Sequence, residues 1–379
     1  MLCKVIILAG LALSGHEKPD GKEPVMDTIA IEGVIVNSKL QRFNSSLSLK
    51  IIPVTELKQN KQLLLSDLVG SISNISVNNT GPGGIALASL RGLGTYHTAV
   101  LWNGINLQNS MNGNVNLSSI PVSFIDNLAI QYGGNGALFG SGAIGGTINI
   151  DNSTDFGKGH SSEYYQTYGS FNSIYSGVNY TFSGERFASS TRLFYSDAKN
   201  DFRFHNTART GSPLENQENS NSSKFGLMEN LAYLITPNDN LSATIWYQNS
   251  FNQYPPMMTG SSNHEHEQTE FIRGVAQWRA TRKQFDFNFK GSLIKDSQYY
   301  INPGGSDTSN HHSNLLVFEG ESIFKISASS RIETGINLNF EDVKTTNYSD
   351  VKQRFRPAIS SAYRYYGNDR NFEAFAGLR

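Results

Sequence analysis

One cysteine, Cys3, stands among 379 residues, which excludes a disulfide framework and any multi-cysteine zinc site. Charge is scarce as well. Charged residues make up 17% of the chain, against about 25% in ordinary soluble domains. Neither sign dominates: 31 Lys and Arg against 32 Asp and Glu leave a net charge of -1, without the basic surplus that nucleic acid requires. Long apolar runs are missing too, and none reaches the roughly 18 residues of a membrane-crossing helix. Crossing by strands stays open. In place of charge and long apolar runs the chain has 35 Gly, 17 Tyr and 22 Phe, with much Ser and Asn. That is a composition for strands and turns, because glycine, aromatic and β-branched residues weaken helices.

The N-terminus has the anatomy of a secretory signal over residues 1–15. Lys4 gives a positive flank, Val5–Leu13 an apolar run, and Ala12-Leu13-Ser14 a small-x-small triplet. A buried strand fits less well, since the charged stretch 16–24 follows at once. Cys3 precedes the apolar run and so is not a lipoprotein cleavage cysteine. Export without a cysteine pair suits a Gram-negative envelope protein.

Beyond the signal the sequence has two grammars. Residues 34–155 read as a small α+β unit. Ile51–Val54 is a short strand, Thr55-Glu56-Leu57 opens a helix, and Ser66-Asp67 caps a second. Short apolar runs at 85–93, 98–102, 124–130 and 147–150 follow, punctuated by glycine as tight turns need. From about residue 156 the period becomes two. Ile332, Thr334, Ile336, Leu338 and Phe340 alternate with Glu333, Gly335, Asn337, Asn339 and Glu341; Leu241, Ala243, Ile245 and Tyr247 alternate with Ser242, Thr244 and Gln248.

Eleven strands are predicted near 161–168, 174–182, 187–196, 223–235, 241–249, 269–280, 285–296, 314–326, 332–341, 353–365 and 371–379. Their connectors sort by length. Short ones fall at 183–186, 236–240, 281–284, 327–331 and 366–370, and long polar ones at 197–222, 250–268, 297–313 and 342–352. Short turns on one side and long loops on the other, with only the first outer connector (169–173) short, mark an outer-membrane β-barrel; a sandwich would alternate similarly but would not sort its loops so regularly. Tyr164, Tyr165, Trp246, Tyr299, Tyr300, Tyr365 and Tyr366, near strand ends, suit its aromatic girdles. The fold class expected is mainly β: a small α+β plug followed by a transmembrane antiparallel barrel.

Several stretches, in order, carry a family resemblance. Leu90-Arg91-Gly92-Leu93-Gly94 resembles the plug "RG" motif of TonB-dependent outer-membrane receptors. Leu101-Trp102-Asn103-Gly104 resembles their hydrophobic-x-D-G strand end, with Asn103 where Asp is usual. Tyr132–Ile150 resembles the glycine-rich signature at the end of the plug, with Tyr132 in place of the usual Arg; Asp126 alone remains of the charges that normally help dock the plug. Upstream, Asp27, Thr28, Ile29, Ala30 and Ile31 resemble the TonB box. It is an extended segment able to pair edge to edge with a strand of a periplasmic partner, although an ordinary first plug strand reads similarly.

The resemblance, with some leaning to the cobalamin-receptor branch, implies residues 16–33 as linker with the box, 34–155 as plug and 156–379 as the N-terminal part of a barrel of about 22 strands. A bacterial barrel needs an even, closed strand set, so eleven strands are expected to be a truncated portion. It also implies energy-coupled uptake of a scarce nutrient, cobalamin-like or ferric-siderophore, in the bacterial outer membrane. The partners would be a TonB-type energy-transducing protein, outer-membrane lipid and a small ligand, with no cofactor. Two plug loops would meet the ligand: Asn79, Thr80, Gly81, Pro82 and Gly83 in one, and Gln108, Asn109, Ser110, Met111, Asn112 and Gly113 in the other. The alternative is a surface binding protein without transport. Enzymatic signals are absent: 140–142 lacks GxSxG spacing, the glycines at 133–146 lack a phosphate-binding Lys, and no HExxH occurs. His264, His266, His311 and His312 are expected in solvated outer loops, without a metal.

Overall fold

The computed structural model describes residues 48–81, 83–133, 141–260, 264–303, 308–327, 329–366 and 373–378. The signal (1–15), the linker and TonB box (16–33), Pro82 and most of the glycine-rich stretch (134–140) lie outside the described residues. In the first part of the chain, β1 (Ser48–Ile52), helices α1 (Val54–Gln59) and α2 (Leu65–Ile72), β2 (Ser76–Asn79) and β3 (Ala86–Ser89) are followed by β4 (Thr98–Trp102), β5 (Ile105–Asn106), β6 (Asn127–Tyr132) and β7 (Gly146–Asp151). Five of these strands form one sheet in the order β1-β6-β7-β4-β5, with β4 and β7 parallel. Every residue of β4 is buried, and Val100, Trp102, Ile120, Phe124, Ile148 and Ile150 fill the core.

Local chemistry explains two departures from expectation. Ser66-Asp67 does not cap α2. The cap position is Leu64, which makes no side-chain cap bond, and Ser66 lies inside the helix with its hydroxyl buried. Leu65 N donates instead to Ile120 O at 2.8 Å, so a neighbouring segment satisfies a helix-end group that a side chain was expected to take. The Asn103-Gly104 pair is a two-residue hairpin loop between β4 and β5, with Trp102 opposite Ile105. Both residues have positive φ, 49° and 83°, as a type I′ turn demands.

The second part holds β8 (Gly159–Tyr168), β9 (Ile174–Ser183), β10 (Phe187–Ala198), the small hairpin β11 (Arg203–His205) and β12 (Leu214–Asn216), then β13 (Ser222–Thr236), β14 (Asp239–Gln253), β15 (His266–Thr281), β16 (Phe285–Ile301), β17 (Ser309–Lys325), β18 (Ser330–Thr345), β19 (Lys352–Tyr366) and β20 (Glu373–Leu378). Apart from β11 and β12 these form an eleven-stranded antiparallel sheet of sequential neighbours, with β8 and β20 at its two edges. All eleven expected strands are present, and several extend three to five residues further than their periodicity shows. Consequently His266 begins β15, and His311 and His312 lie on β17, not in loops. His311 bonds the Thr345 hydroxyl and His312 that of Ser297 across the ladder.

The faces of this sheet are inverted relative to a soluble protein. Leu241, Ile245, Ile272, Phe289, Phe318, Ile336, Phe340 and Ile359 are exposed, whereas Lys224, Asn230, Gln248, Ser250, Arg273, Gln277 and Ser292 are buried. An apolar outer face and a polar inner one belong to a barrel wall in lipid. Trp246 shares the parity of Thr244 and Gln248 and is 1% exposed, set edge-on against Trp102, Phe124 and Phe271. It is a plug contact rather than a girdle residue. Tyr165 likewise turns inward, stacking on Tyr175. Tyr164 is exposed.

Candidate ligand-binding cavity

Plug and wall meet through polar contacts set among this aromatic cluster. Arg192 on β10 donates through Nη2 to both oxygens of Asp126, at 2.7 and 2.8 Å. Lys224 on β13 donates to Ser118 O at 2.7 Å, and Gln248 on β14 to Ser119 O at 2.8 Å. Lys290 on β16 donates to Asn103 O at 2.9 Å. Ser123 and Tyr175 share a hydroxyl bond, and Lys61 pairs with Glu163. Asn103 binds both ways on its own side, accepting from Asn152 N at 2.8 Å through Oδ1. Apart from the Lys61–Glu163 pair, the wall supplies cations and an amide to plug carbonyls and to the Asp126 carboxylate, fixing the plug in register.

The two predicted apex loops reach different arcs of the wall. Gly83 sits on the outer ends of β13 and β14, where a Cβ would lie 2.8 Å from that of Ser222. With its amide oriented to satisfy both ends, Asn252 donates to Gly83 O at 3.0 Å. Asn79 and Thr80 are spent on their own loop: Asn79 Oδ1 accepts from Gly81 N, and Thr80 Oγ1 from Ile85 N, both at 2.9 Å. Gln108, Asn109, Ser110, Met111 and Gly113 instead line a cavity of about 390 Å³ against the inner face of β17, β18 and β19. None of residues 79–83 lines it among the described residues.

Within that second loop, Asn109 Oδ1 accepts from Met111 N at 2.8 Å and Asn112 Oδ1 from Asn114 N at 3.0 Å. These amide oxygens shape the turn, an Asx role, so asparagine content serves local structure first. Gln108 is held by Asn106 and donates to Tyr96 O at 2.9 Å. Exposed Tyr96, Met111 and Ile144 give the plug side an apolar surface.

The opposite wall carries charge that the sequence reading overlooked. Cross-strand register stacks it in rows: Glu321, Gly335 and Ser360; then Glu319, Asn337 and Ala358; then Val317, Asn339 and Arg356; then Leu315, Glu341 and Arg354. Asn337 donates to Glu319 at 2.7 Å and Asn339 to Asn337 at 2.9 Å. Glu341 receives Arg354 through Nε at 3.0 Å and through Nη2, and also receives Arg356. The signal was available, since Glu341 shares parity with Asn337 and Asn339, and Arg354 with Arg356.

Outside the strands, two outer loops are tied together. Asn206 donates to Met258 O at 2.8 Å, and Asn219 to the carbonyls of Tyr254 and Glu265 at 2.7 and 2.8 Å. Tyr254 donates to Glu267, and burial followed by that carboxylate raises its hydroxyl well above the ordinary range.

Residues 41–147 match the model of the TonB-dependent Receptor Plug Domain. These residues form a TonB-dependent receptor plug. The eleven-stranded sheet that follows, apolar on one face and polar on the other, has the form of a partial β-barrel wall. The vitamin B12 transporter BtuB of Vibrio vulnificus is 27% identical over 183 residues, 47% of this chain and 29% of that protein. The FrpB iron transporter of Neisseria meningitidis superposes with a TM-score of 0.72 at 12% identity, covering 88% of this chain and 58% of that one. The siderophore receptor PirA of Pseudomonas aeruginosa gives 0.63 at 17% identity, covering 87% and 55%. The chain thus spans less than a third of the curated relative it matches. These relatives are transporters and receptors, not enzymes.

Proposed function

We propose that this receptor takes up a scarce nutrient, a cobalamin-like or ferric-siderophore ligand, across the outer membrane in an energy-coupled step. One observation carries the reading. The plug is fastened to the polar inner face of a lipid-exposed wall, and a cavity is left that both of them line. In a closed barrel such a plug would block free passage while offering a binding surface, so release would come from moving the plug. No nucleotide site is needed for this, only a mechanical pull. The relatives' functions, vitamin B12 and iron transport, support the ligand classes.

The pull would arrive through residues 27–31, an extended segment pairing with a TonB-type periplasmic protein. In this reading residues 1–15 are the export signal, 16–33 the linker, 34–155 the plug and 156–379 the barrel portion. Loop residues 108–113 would contact the ligand, and Asn79–Gly83 would contribute by holding the neighbouring wall. A strain lacking this gene, grown with vitamin B12 or a ferric siderophore as the limiting nutrient, tests the proposal. Growth equal to that of the parent on every such nutrient would refute it.

A further inference from the structure

We propose that the outer half of the cavity is an oxyanion subsite, in which Arg354 and Arg356 receive a phosphate or carboxylate group borne at one end of a larger ligand. This deepens the uptake reading and rests on it.

The argument starts from charge counting at one carboxylate. Glu341 is 3% exposed at its side chain and is gripped by Arg354 and Arg356, whose side chains are each 52% exposed. One cation would neutralise a buried carboxylate. Two leave a local surplus of positive charge at the Glu341 end of the cavity, fixed by the pairing. An arginine has five N–H donors in a planar fork, and Glu341 engages Nε and Nη2 of Arg354 and Nη2 of Arg356. The remaining edges match the spacing of oxyanion oxygens. The buried carboxylate holds both forks in place, so little rotamer freedom is lost when an anion arrives.

Position adds direction. β17 leaves its long outer connection at Ser309, so the Leu315–Glu341–Arg354 row lies nearer the outside than the Glu321–Gly335–Ser360 row. An anion entering from outside meets the arginines first. Glu319 and Glu321, one and two rows deeper than Arg356, repel a ligand that is anionic throughout. The cavity therefore selects a molecule with an oxyanion at one end, held at β19. Its uncharged body would lie along Asn337 and Asn339 toward Gln108, Met111 and Tyr96 of the plug.

The test uses inorganic pyrophosphate as the probe, titrated calorimetrically at low ionic strength into the receptor purified from outer membranes in neutral detergent. Saturable binding is expected, weakening with added salt. Arg354→Gln combined with Arg356→Gln should weaken it at least tenfold, whereas Arg282→Gln, at the opposite strand ends, should leave it within twofold. Glu341→Gln keeps both guanidinium groups, leaves an amide oxygen to hold a fork and removes the competing charge, so it should tighten binding at least threefold. Absence of saturable binding, equal loss with Arg282→Gln, or Glu341→Gln binding that is unchanged or weaker would overturn the assignment. Pyrophosphate is neither corrinoid nor siderophore, and its binding is read without transport, so failure of this subsite and failure of uptake give different results.

Discussion

Arg192 reaches from the barrel wall to the plug and places Nη2 2.7 Å from one oxygen of Asp126 and 2.8 Å from the other. Arg192 is 9% exposed at its side chain, and Asp126 also accepts from Ser153 N at 3.1 Å. The pair thus ties the wall to the segment leaving β7. Removing one partner strands a mostly buried charge, a loss of about 3 kcal/mol at such sites. Arg192→Leu should therefore loosen the plug, seen as faster hydrogen exchange at Ser153 and neighbouring amides. Arg192→Leu combined with Asp126→Asn should recover much of the protection. Unchanged exchange in the single variant would mean that the contact does not hold the plug.

The Asn103-Gly104 turn makes a second, sharper prediction. Gly104 has φ of 83°, and a Cβ there would run into the Lys290 ammonium that bonds Asn103 O. Gly104→Ala should destabilise the docked plug by about 1–2 kcal/mol, part conformational and part steric. Lys290→Ala relieves only the steric part. Chemical denaturation of the four-member cycle measures this, and additive losses would contradict it.

Gly145 and Gly146 close the plug sheet. Gly146 has φ of 148°, and a Cβ would press on the Gln131 carbonyl; at Gly145 it would lie 3.1 Å from His97 O. Gly145→Val should abolish slow exchange in β6 and β7. Normal protection in that variant would show that the backbone can yield here.

The cavity reading separates the two apex loops. Replacing Asn109–Asn114 by a Gly/Ser linker should weaken ligand binding at least tenfold, about 1.4 kcal/mol. The same exchange at Asn79–Gly84 should cost clearly less, because that loop meets β13 and β14 instead of the cavity. Equal losses, by equilibrium binding of labelled vitamin B12 or a ferric siderophore, would count against the assignment.

The membrane wall was readable from period two, because lipid on one side and polar contacts on the other impose opposite demands on alternate residues. Ile336 and Phe340 are exposed, and Asn337 and Asn339 face the cavity, as their alternation requires. Trp246 misled because aromatic residues near strand ends suggest a girdle. Its shared parity with Thr244 and Gln248 already pointed inward. Asn-Gly at 103–104 was a hairpin signal that the family motif obscured. Ser66 failed as a cap because Ile120, 55 positions away from Leu65, supplied the acceptor. The grips of Arg192, Lys224 and Lys290 were not legible at all. They join residues 66, 106 and 187 positions apart, and no local pattern encodes such pairings.

Energy coupling through the segment Asp27–Ile31 is the central claim, and one measurement addresses it directly. Ile29→Pro removes a backbone N–H needed for edge pairing. Binding and accumulation of labelled vitamin B12 and of a labelled ferric siderophore would be measured side by side in cells carrying the parent or the variant receptor. The account predicts, for the ligand that binds, surface binding within twofold of the parent and accumulation reduced to that of the deletion strain. Accumulation at the parental level in the Ile29→Pro cells would contradict it and favour a surface binding protein that does not transport.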